Sequence, residues 1–277
     1  EEVFFTVKPN NKLLRQYIAY YYFHKCEVPS VSKKFIYYPN TKNALTIYRA
    51  SSVEFGKLQS NAIPDSNCPF FFSFGGVESF ARYAAMQSPF NKIGIVFHPL
   101  GINHFLSIDL VEVLPKKDSR QFDYFKSTMC KVLPTIYEMG RVDSKVSLLD
   151  EYFLTQYHPF NENRLIKAIQ ILLEGEEKIS VTKLAQRIPV SRRTLLRLFQ
   201  KHLGCSVKHF MDVVQFRKAV VEYEQKRPHL TSLAHGLGYY DQSEFIHHFK
   251  KITGFNPKKF FKHISHMGEE DTFWTFL

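Results

Sequence analysis

Two sets of side chains in the second half of the chain share one spacing and one kind of chemistry. Arg193, Arg197 and Gln200 follow one another at intervals of four and three residues, and Ser243, His247 and Lys250 repeat those intervals fifty residues later. At about 100° per residue, each set falls on one edge of a helix. The opposite edges are apolar: Leu195, Leu198, Phe199 and Leu203 in the first, Phe245, Phe249 and Ile252 in the second. The polar types suit hydrogen bonding to base edges, where an Arg guanidinium donates two parallel bonds to guanine N7 and O6. A merely solvated helix face also carries polar residues; here the same positions face outward twice. Leu196 and Ile246 share one repeat position at the border of the two faces. Contact with a thymine methyl and membership of the core edge are both open to them.

The elements that must hold these residues are spelled by an internal repeat. One copy reads Leu184-Ala185, Leu195, Phe199, Gly204 and Phe210; the other reads Leu233-Ala234, Phe245, Phe249, Gly254 and Phe260. The offset is 49 at the Leu-Ala pair and 50 from Phe245 onward, so the extra residue falls in the turn Tyr239-Tyr240-Asp241. Each copy predicts a short helix, a tight turn and a second helix ending at a Gly suited to a left-handed cap. Ser206 and Asn256 then suit N-caps, with Pro257 in a first helical turn. Between the copies, Ser206 to Arg227 keeps helical spacing at Val207, Phe210, Met211, Val214 and Val221. A rod of that length, about 33 Å, matches one turn of B-DNA, about 34 Å, and predicts two readers in successive major grooves.

Charge agrees with this placement. Residues 160–265 hold 19 Lys and Arg against 9 Asp and Glu, whereas the rest of the chain holds 18 against 17. A localised basic excess is the footprint of a polyanion partner. The chain carries +11 overall in 277 residues, enough for two cores.

The expected class is α+β. Residues 1–115 read as a small β-barrel or sandwich, a sensor or dimerisation domain, with strands at Val3–Phe5, Tyr17–Phe23, Lys34–Tyr38, Ala44–Tyr48, Pro69–Phe74 and Lys92–Phe97. Residues 116–159 read as a helical connector, the pattern turning helical at Asp118. Its apolar positions are Phe122, Phe125, Met129, Val132, Leu133 and Ile136, then Val146, Leu149, Phe153 and Leu154. Residues 160–265 form the all-α part with two helix-turn-helix units, and 266–277 a loose or docked tail. The aromatic runs Tyr20–Phe23 and Phe70–Phe72 leave two readings open: barrel core with an interface, or an aromatic pocket for a small effector.

Other chemistry finds little support. Cys26, Cys68, Cys130 and Cys205 are scattered and spell neither a zinc knuckle nor a redox pair. His98 and His104 lack a carboxylate at metal-barrel spacing, and His247-His248 point about 100° apart on a helix. No phosphate-cradling loop or nucleophile elbow is present. We therefore expect no enzyme, no metal, no cofactor and no membrane span, and a cytoplasmic, nucleoid-associated protein. The missing initiator Met leaves a trimmed start or a removed leader open.

Over about 100 residues, Arg164 to His263, the chain resembles the AraC/XylS family of bacterial regulators. The matching residues include Leu184-Ala185, Ser191-Arg192-Arg193-Thr194-Leu195, Arg197-Leu198-Phe199, Gly204, Arg217, Leu233-Ala234, Leu237-Gly238-Tyr239, Asp241-Gln242-Ser243, Phe245, Phe249-Lys250-Lys251, Gly254 and Pro257. The resemblance implies a seven-helix DNA-binding domain. It also implies base contacts from Arg193, Leu196 and Arg197, and from Gln242, Ser243, Glu244 and His247. Arg192, Gln200 and Lys250 complete the candidate DNA-binding set. Helix angle places Glu244 further round than its neighbours. Pro189 departs from the Gly usual in the first turn, and its φ near −65° forbids a left-handed turn. More weakly, Phe97-His98-Pro99-Leu100-Gly101 resembles a segment of the barrel-type sensors of such regulators. The expected function is sequence-specific DNA binding in transcription regulation, with largely nonspecific architectural binding as the alternative. Double-stranded DNA is the expected partner; RNA polymerase, a small-molecule effector and a second copy of the chain are further candidates.

Overall fold

Strict side-chain alternation on strands buried from both sides organises the N-terminal half. The computed structural model describes residues 2–115, 119–175 and 178–277; Glu1, 116–118 and 176–177 lie outside the described residues, and with them the expected connector start at 116 and the helical start at Asp118. Nine strands come first: β1 (Glu2–Val7), β2 (Ile18–Cys26), β3 (Ser32–Tyr37), β4 (Asn43–Arg49), β5 (Ser51–Phe55), β6 (Gln59–Pro64), β7 (Phe70–Gly75), β8 (Arg82–Gln87) and β9 (Phe90–Phe97). They form two sheets, one ordered β1-β2-β9-β4-β7 and the other containing β3-β8-β6-β5. The six expected strands are present. β5, β6 and β8 went unread because Ser51–Phe55, Gln59–Pro64 and Arg82–Gln87 are rich in Ser, Asn, Gln and Ala rather than large apolar residues.

In the first sheet, Tyr21, Phe23, Leu45, Ile47, Phe72, Phe74, Ile93, Ile95 and Phe97 face outward into a core shared with the connector. The intervening Tyr20, Tyr22, Thr46, Tyr48, Ser73, Lys92 and Val96 face inward and line a cavity between the sheets. The run Tyr20–Phe23 thus divides between the two open readings, alternate residues going to core and to cavity. Gly94 is required where it stands: a Cβ there would lie 1.8 Å from the ring of Tyr22.

The connector is more broken than its periodicity predicts. α1 (Leu110–Val113) precedes it, and it contains α2 (Lys126–Met129), α3 (Leu133–Glu138) and α4 (Val142–Gln156). Phe122 and Phe125 are fully buried but precede α2, because residues 120–122 run along the edge of β7. There the Phe122 amide donates to the Phe72 carbonyl and the Phe74 amide to the Arg120 carbonyl. Leu154, placed on the apolar stripe by spacing, is 39% exposed, while Val146, Leu149 and Phe153 are buried.

Seven helices follow among the described residues: α5 (Asn163–Glu174), α6 (Val181–Arg187), α7 (Arg192–Leu203), α8 (Val207–Lys226), α9 (Leu230–Gly236), α10 (Gln242–Thr253) and α11 (Pro257–His263). The chain then returns as β10 (Ser265–Met267) and β11 (Thr272–Phe276). β11 pairs antiparallel with β3, so the end of the chain is docked as a strand of the second sheet. Among the described residues no helix is long and apolar enough to cross a membrane.

Candidate nucleic-acid interface

The repeat in sequence is a repeat in local structure. α6 and α9 are both seven residues long, and α7 and α10 are both twelve. Each twelve-residue helix starts with a side-chain cap, Ser191 accepting from the Thr194 amide and Asp241 from the Glu244 amide. Such caps stabilise by about 1 kcal/mol each. Each ends on a left-handed glycine, Gly204 at φ 69° and Gly254 at φ 78°. The following helices are capped alike, Ser206 by the His209 amide and Asn256 by the Lys259 amide. Matched caps set where each helix begins, and so which residues turn outward.

The two turns differ in residue but share one hydrogen bond. Val190 donates to the Ala185 carbonyl at 3.1 Å, and Tyr239 to the Ala234 carbonyl at 3.0 Å. Gly238 adopts φ 73° between its partners. Pro189 cannot, yet the closing bond of the turn survives because it is made by the residue after Pro189, which still has its N–H.

The outward edges carry the expected polar residues. On α7, Arg192, Arg193, Leu196, Arg197 and Gln200 are exposed, and Leu195, Leu198, Phe199 and Leu203 are buried. On α10, Gln242, Ser243, Glu244, His247 and Lys250 are exposed, and Phe245, Phe249 and Ile252 are buried. Leu196 is open to solvent and Ile246 half-buried. Among the described residues, Arg192, Arg193, Arg197 and Lys250 have no ion-pair partner within 4.0 Å, whereas Lys201 of α7 is tied to Asp109 at 3.0 Å. Unpaired cations on an exposed helix edge give up no protein contact when they meet a polyanion.

Two candidates stand apart. The Glu244 carboxylate accepts from the Tyr240 amide at 2.8 Å and pairs with Lys178 at 2.8 Å. The Lys178 hydrogen bond, then the Tyr240 amide, hold it below the usual carboxylate range. Gln242 Oε1 accepts from Thr231 of α9 at 3.3 Å. Lys178 was not singled out by sequence. It precedes the first unit, stacks 4.7 Å from the Tyr239 ring and joins that unit to the start of α10. Only a long-range contact reveals it. Because the pair is exposed, Glu244→Gln is expected to lower stability by less than about 1 kcal/mol. It is expected to leave base preference nearly unchanged, as a binding-site comparison of the two proteins would read.

α8 spans twenty residues between the two units, about 30 Å. It is bounded by the Ser206 cap and by Arg227 in the left-handed region at φ 46°. Around it lie two aromatic cores. The first unit packs Leu184, Leu195, Phe199 and Phe210 together with Val77 and Leu100 of the N-terminal half. The second packs Phe216, Phe245, Phe249 and Phe260 with Ile36, Tyr38 and Ala81. The Ala81 amide also donates to the Ile252 carbonyl at 2.7 Å. Both units are therefore seated on the β-rich half, and buried apolar area at these seams fixes their relative position.

The histidines weighed as metal ligands have other surroundings. His104 stacks on Tyr17 with ring centroids 3.8 Å apart and accepts from the Phe160 amide. Burial and nearby His158 bring it down to about 4. His248, beside exposed His247, is half-buried and bonded to the Tyr239 hydroxyl at 2.6 Å. Among the described residues no three His, Cys, Asp or Glu side chains converge as a metal site would require.

A second residue escaped the sequence reading. Lys92 of β9 is buried in the cavity between the sheets, 5.6 Å from the ring centroids of Tyr48 and Trp274. Burial pulls its ammonium down from 10.5 to about 7. A lysine among the inward positions Phe90, Lys92, Gly94 and Val96 of an otherwise apolar strand was the available signal.

With this geometry in place, comparison with known proteins is informative about the C-terminal half. Residues 184–263 match a family described as a helix-turn-helix domain. An HTH-type transcriptional regulator of Haemophilus influenzae is 27% identical over 97 residues, 35% of this chain and 33% of that protein. The arabinose operon regulatory protein of Escherichia coli is 28% identical over 105 residues, 37% of this chain and 36% of its own length. The match thus spans about a third of these relatives. Among solved structures, ToxT from Vibrio cholerae with a bound unsaturated fatty acid aligns over 89% of this chain and all of its own, at 13% identity and a TM-score of 0.45. Two capped helix-turn-helix units in tandem, joined by one long helix and matched at 184–263, make the C-terminal part of this chain a helix-turn-helix domain similar to those of AraC/XylS regulators.

Proposed function

We propose that this protein is a sequence-specific DNA-binding transcription regulator. α7 and α10 lie in successive major grooves on one face of the duplex, with α8 as the spacer. Arg193 and Arg197 read bases in one half-site; Ser243 and His247 read the other, with Leu196 positioned for a thymine methyl. Arg192, Gln200, Gln242 and Lys250 flank these contacts, and the Glu244 carboxylate holds the start of α10 in place. The observation that carries this reading is the pair of equivalent exposed edges, with Arg193 and Arg197 on one and Lys250 on the other unpaired among the described residues. Seating of both units on the β-rich half supports that half as a sensor whose state changes how the readers sit. RNA polymerase and a second copy of the chain are the protein partners consistent with this role.

Selection of binding sites from random duplexes at physiological salt tests the proposal. Two recurrent sequence blocks about one helical turn apart are expected. Enrichment without a sequence preference, together with a steep salt dependence, would instead favour architectural binding.

A further inference from the structure

The turn between α9 and α10 holds a residue that the first unit lacks. In each unit one amide closes the turn on an alanine carbonyl, Val190 on Ala185 and Tyr239 on Ala234. In the first unit the N-cap Ser191 follows at once. In the second, Tyr240 stands between Tyr239 and the N-cap Asp241. Tyr240 is therefore the residue that shifts the repeat from 49 to 50.

Folding does not account for its type. Tyr239 is buried, but Tyr240 is 90% exposed, more than any other large apolar side chain among the described residues. A ring left in water adds almost nothing to a core, and Gly, Asn or Ser is the usual occupant of a turn. Its backbone is nonetheless held. The Tyr240 amide donates to the Glu244 carboxylate at 2.8 Å, and Lys178 fixes that carboxylate at 2.8 Å. The insertion thus presents a phenol from a braced backbone, directly ahead of a recognition helix.

Its place narrows what the phenol meets. With the first turn of α10 in a major groove, the residue before the N-cap lies at the wall of that groove, which is the sugar-phosphate strand. The two acids beside it, Asp241 and Glu244, accept from the amides of Glu244 and Tyr240. Their charges keep a phosphate away from the helix end itself. A tyrosine is an uncharged donor with its O–H at the far end of a rigid ring, and so reaches a phosphate beyond those acids.

We propose that Tyr240 donates a hydrogen bond to one backbone phosphate flanking the second half-site, a contact with no counterpart at the first. The proposal rests on the DNA-binding reading above. Such a contact adds affinity and fixes the register of α10 on the duplex, and it carries no base preference.

Tyr240→Phe keeps the ring and removes only the donor. Titration of a labelled selected duplex should show it binding roughly tenfold more weakly than the parent protein, as for loss of one bond to a charged group. Discrimination against a duplex with one base pair changed in the second half-site should stay within about twofold of the parent's. The salt slope should not change, since an uncharged donor releases no counterion. Neutral methylphosphonates, placed one at a time along the strand beside that half-site, locate the contact: at one position the parent and Tyr240→Phe should bind alike. Superposing thermal melts check that the variant is folded. The parent's preference for the selected over a scrambled duplex reports the DNA-binding reading alone, and the ratio of parent to variant reports Tyr240. Parent-level affinity of Tyr240→Phe overturns the assignment and leaves the ring for a protein partner. An altered base preference, or a loss that persists at every methylphosphonate position, overturns it as well.

Discussion

Arg193→Ala and Arg197→Ala are each expected to weaken binding to the selected duplex by about 1–3 kcal/mol, the value of one bidentate base contact. That is roughly five- to 150-fold for each change. The loss should fall on one half-site only. A duplex whose α7 half has been scrambled should no longer distinguish either variant from the parent protein. Ser243→Ala and His247→Ala should show the mirror pattern on the other half. Folding should be untouched, because all four side chains are exposed and lie outside the cores of their helices. Titrations of fluorescently labelled duplexes read these differences. A uniform loss on every sequence, with only a shallower salt slope, would mean that these arginines touch phosphates rather than bases.

Lys92→Met is expected to stabilise the protein. Burial lowers the ammonium from 10.5 to about 7, so between these values the unfolded chain binds a proton that the folded chain does not. Stability contributed at this site therefore rises with pH from about 7 to about 10.5, and the penalty is complete below about 7. At pH 7 the penalty is on the order of 4 kcal/mol. A methionine of similar length removes the charge from among the rings of Tyr48 and Trp274, and should raise the melting temperature by several degrees. The gain should be largest near pH 7 and shrink toward pH 10. Denaturant melts of both proteins across that range check the sign. Equal stability at every pH would show that the folded state already satisfies the lysine.

The C-terminal half was legible because its signals are local. Helix starts at Ser191 and Asp241, stops at Gly204 and Gly254, and the 49-to-50 shift of the repeat all lie within a few residues of the structure they specify. The N-terminal half was legible where strands carry several β-branched or aromatic residues, as at β1, β2, β4 and β9. β5, β6 and β8 are edge-side or polar strands, held by pairing rather than by composition, and one of their pairings, β6 with β8, is parallel. Phe122 followed helical spacing but lies outside a helix, since the β7 edge accepts and donates the backbone bonds a helix would have used, and Phe125 only caps the start of α2. The site divides in the same way. Arg193, Arg197 and His247 could be placed from helix angle alone. The grip of Lys178 on Glu244 spans 66 residues of sequence, and the cage around Lys92 draws on β2, β3, β4, β9 and β11, so neither has a local pattern. Nor does the docking of β11 on β3, which pairs Trp274 with Tyr37 across almost the whole chain.

One chain is expected to read two half-sites at a spacing set by α8. Inserting about half a helical turn, roughly 5 bp, between the two halves of the selected site tests it most directly. The inserted duplex should bind no better than one carrying a single half-site, because the second half now faces away from its reader. Undiminished affinity for the inserted duplex would contradict it.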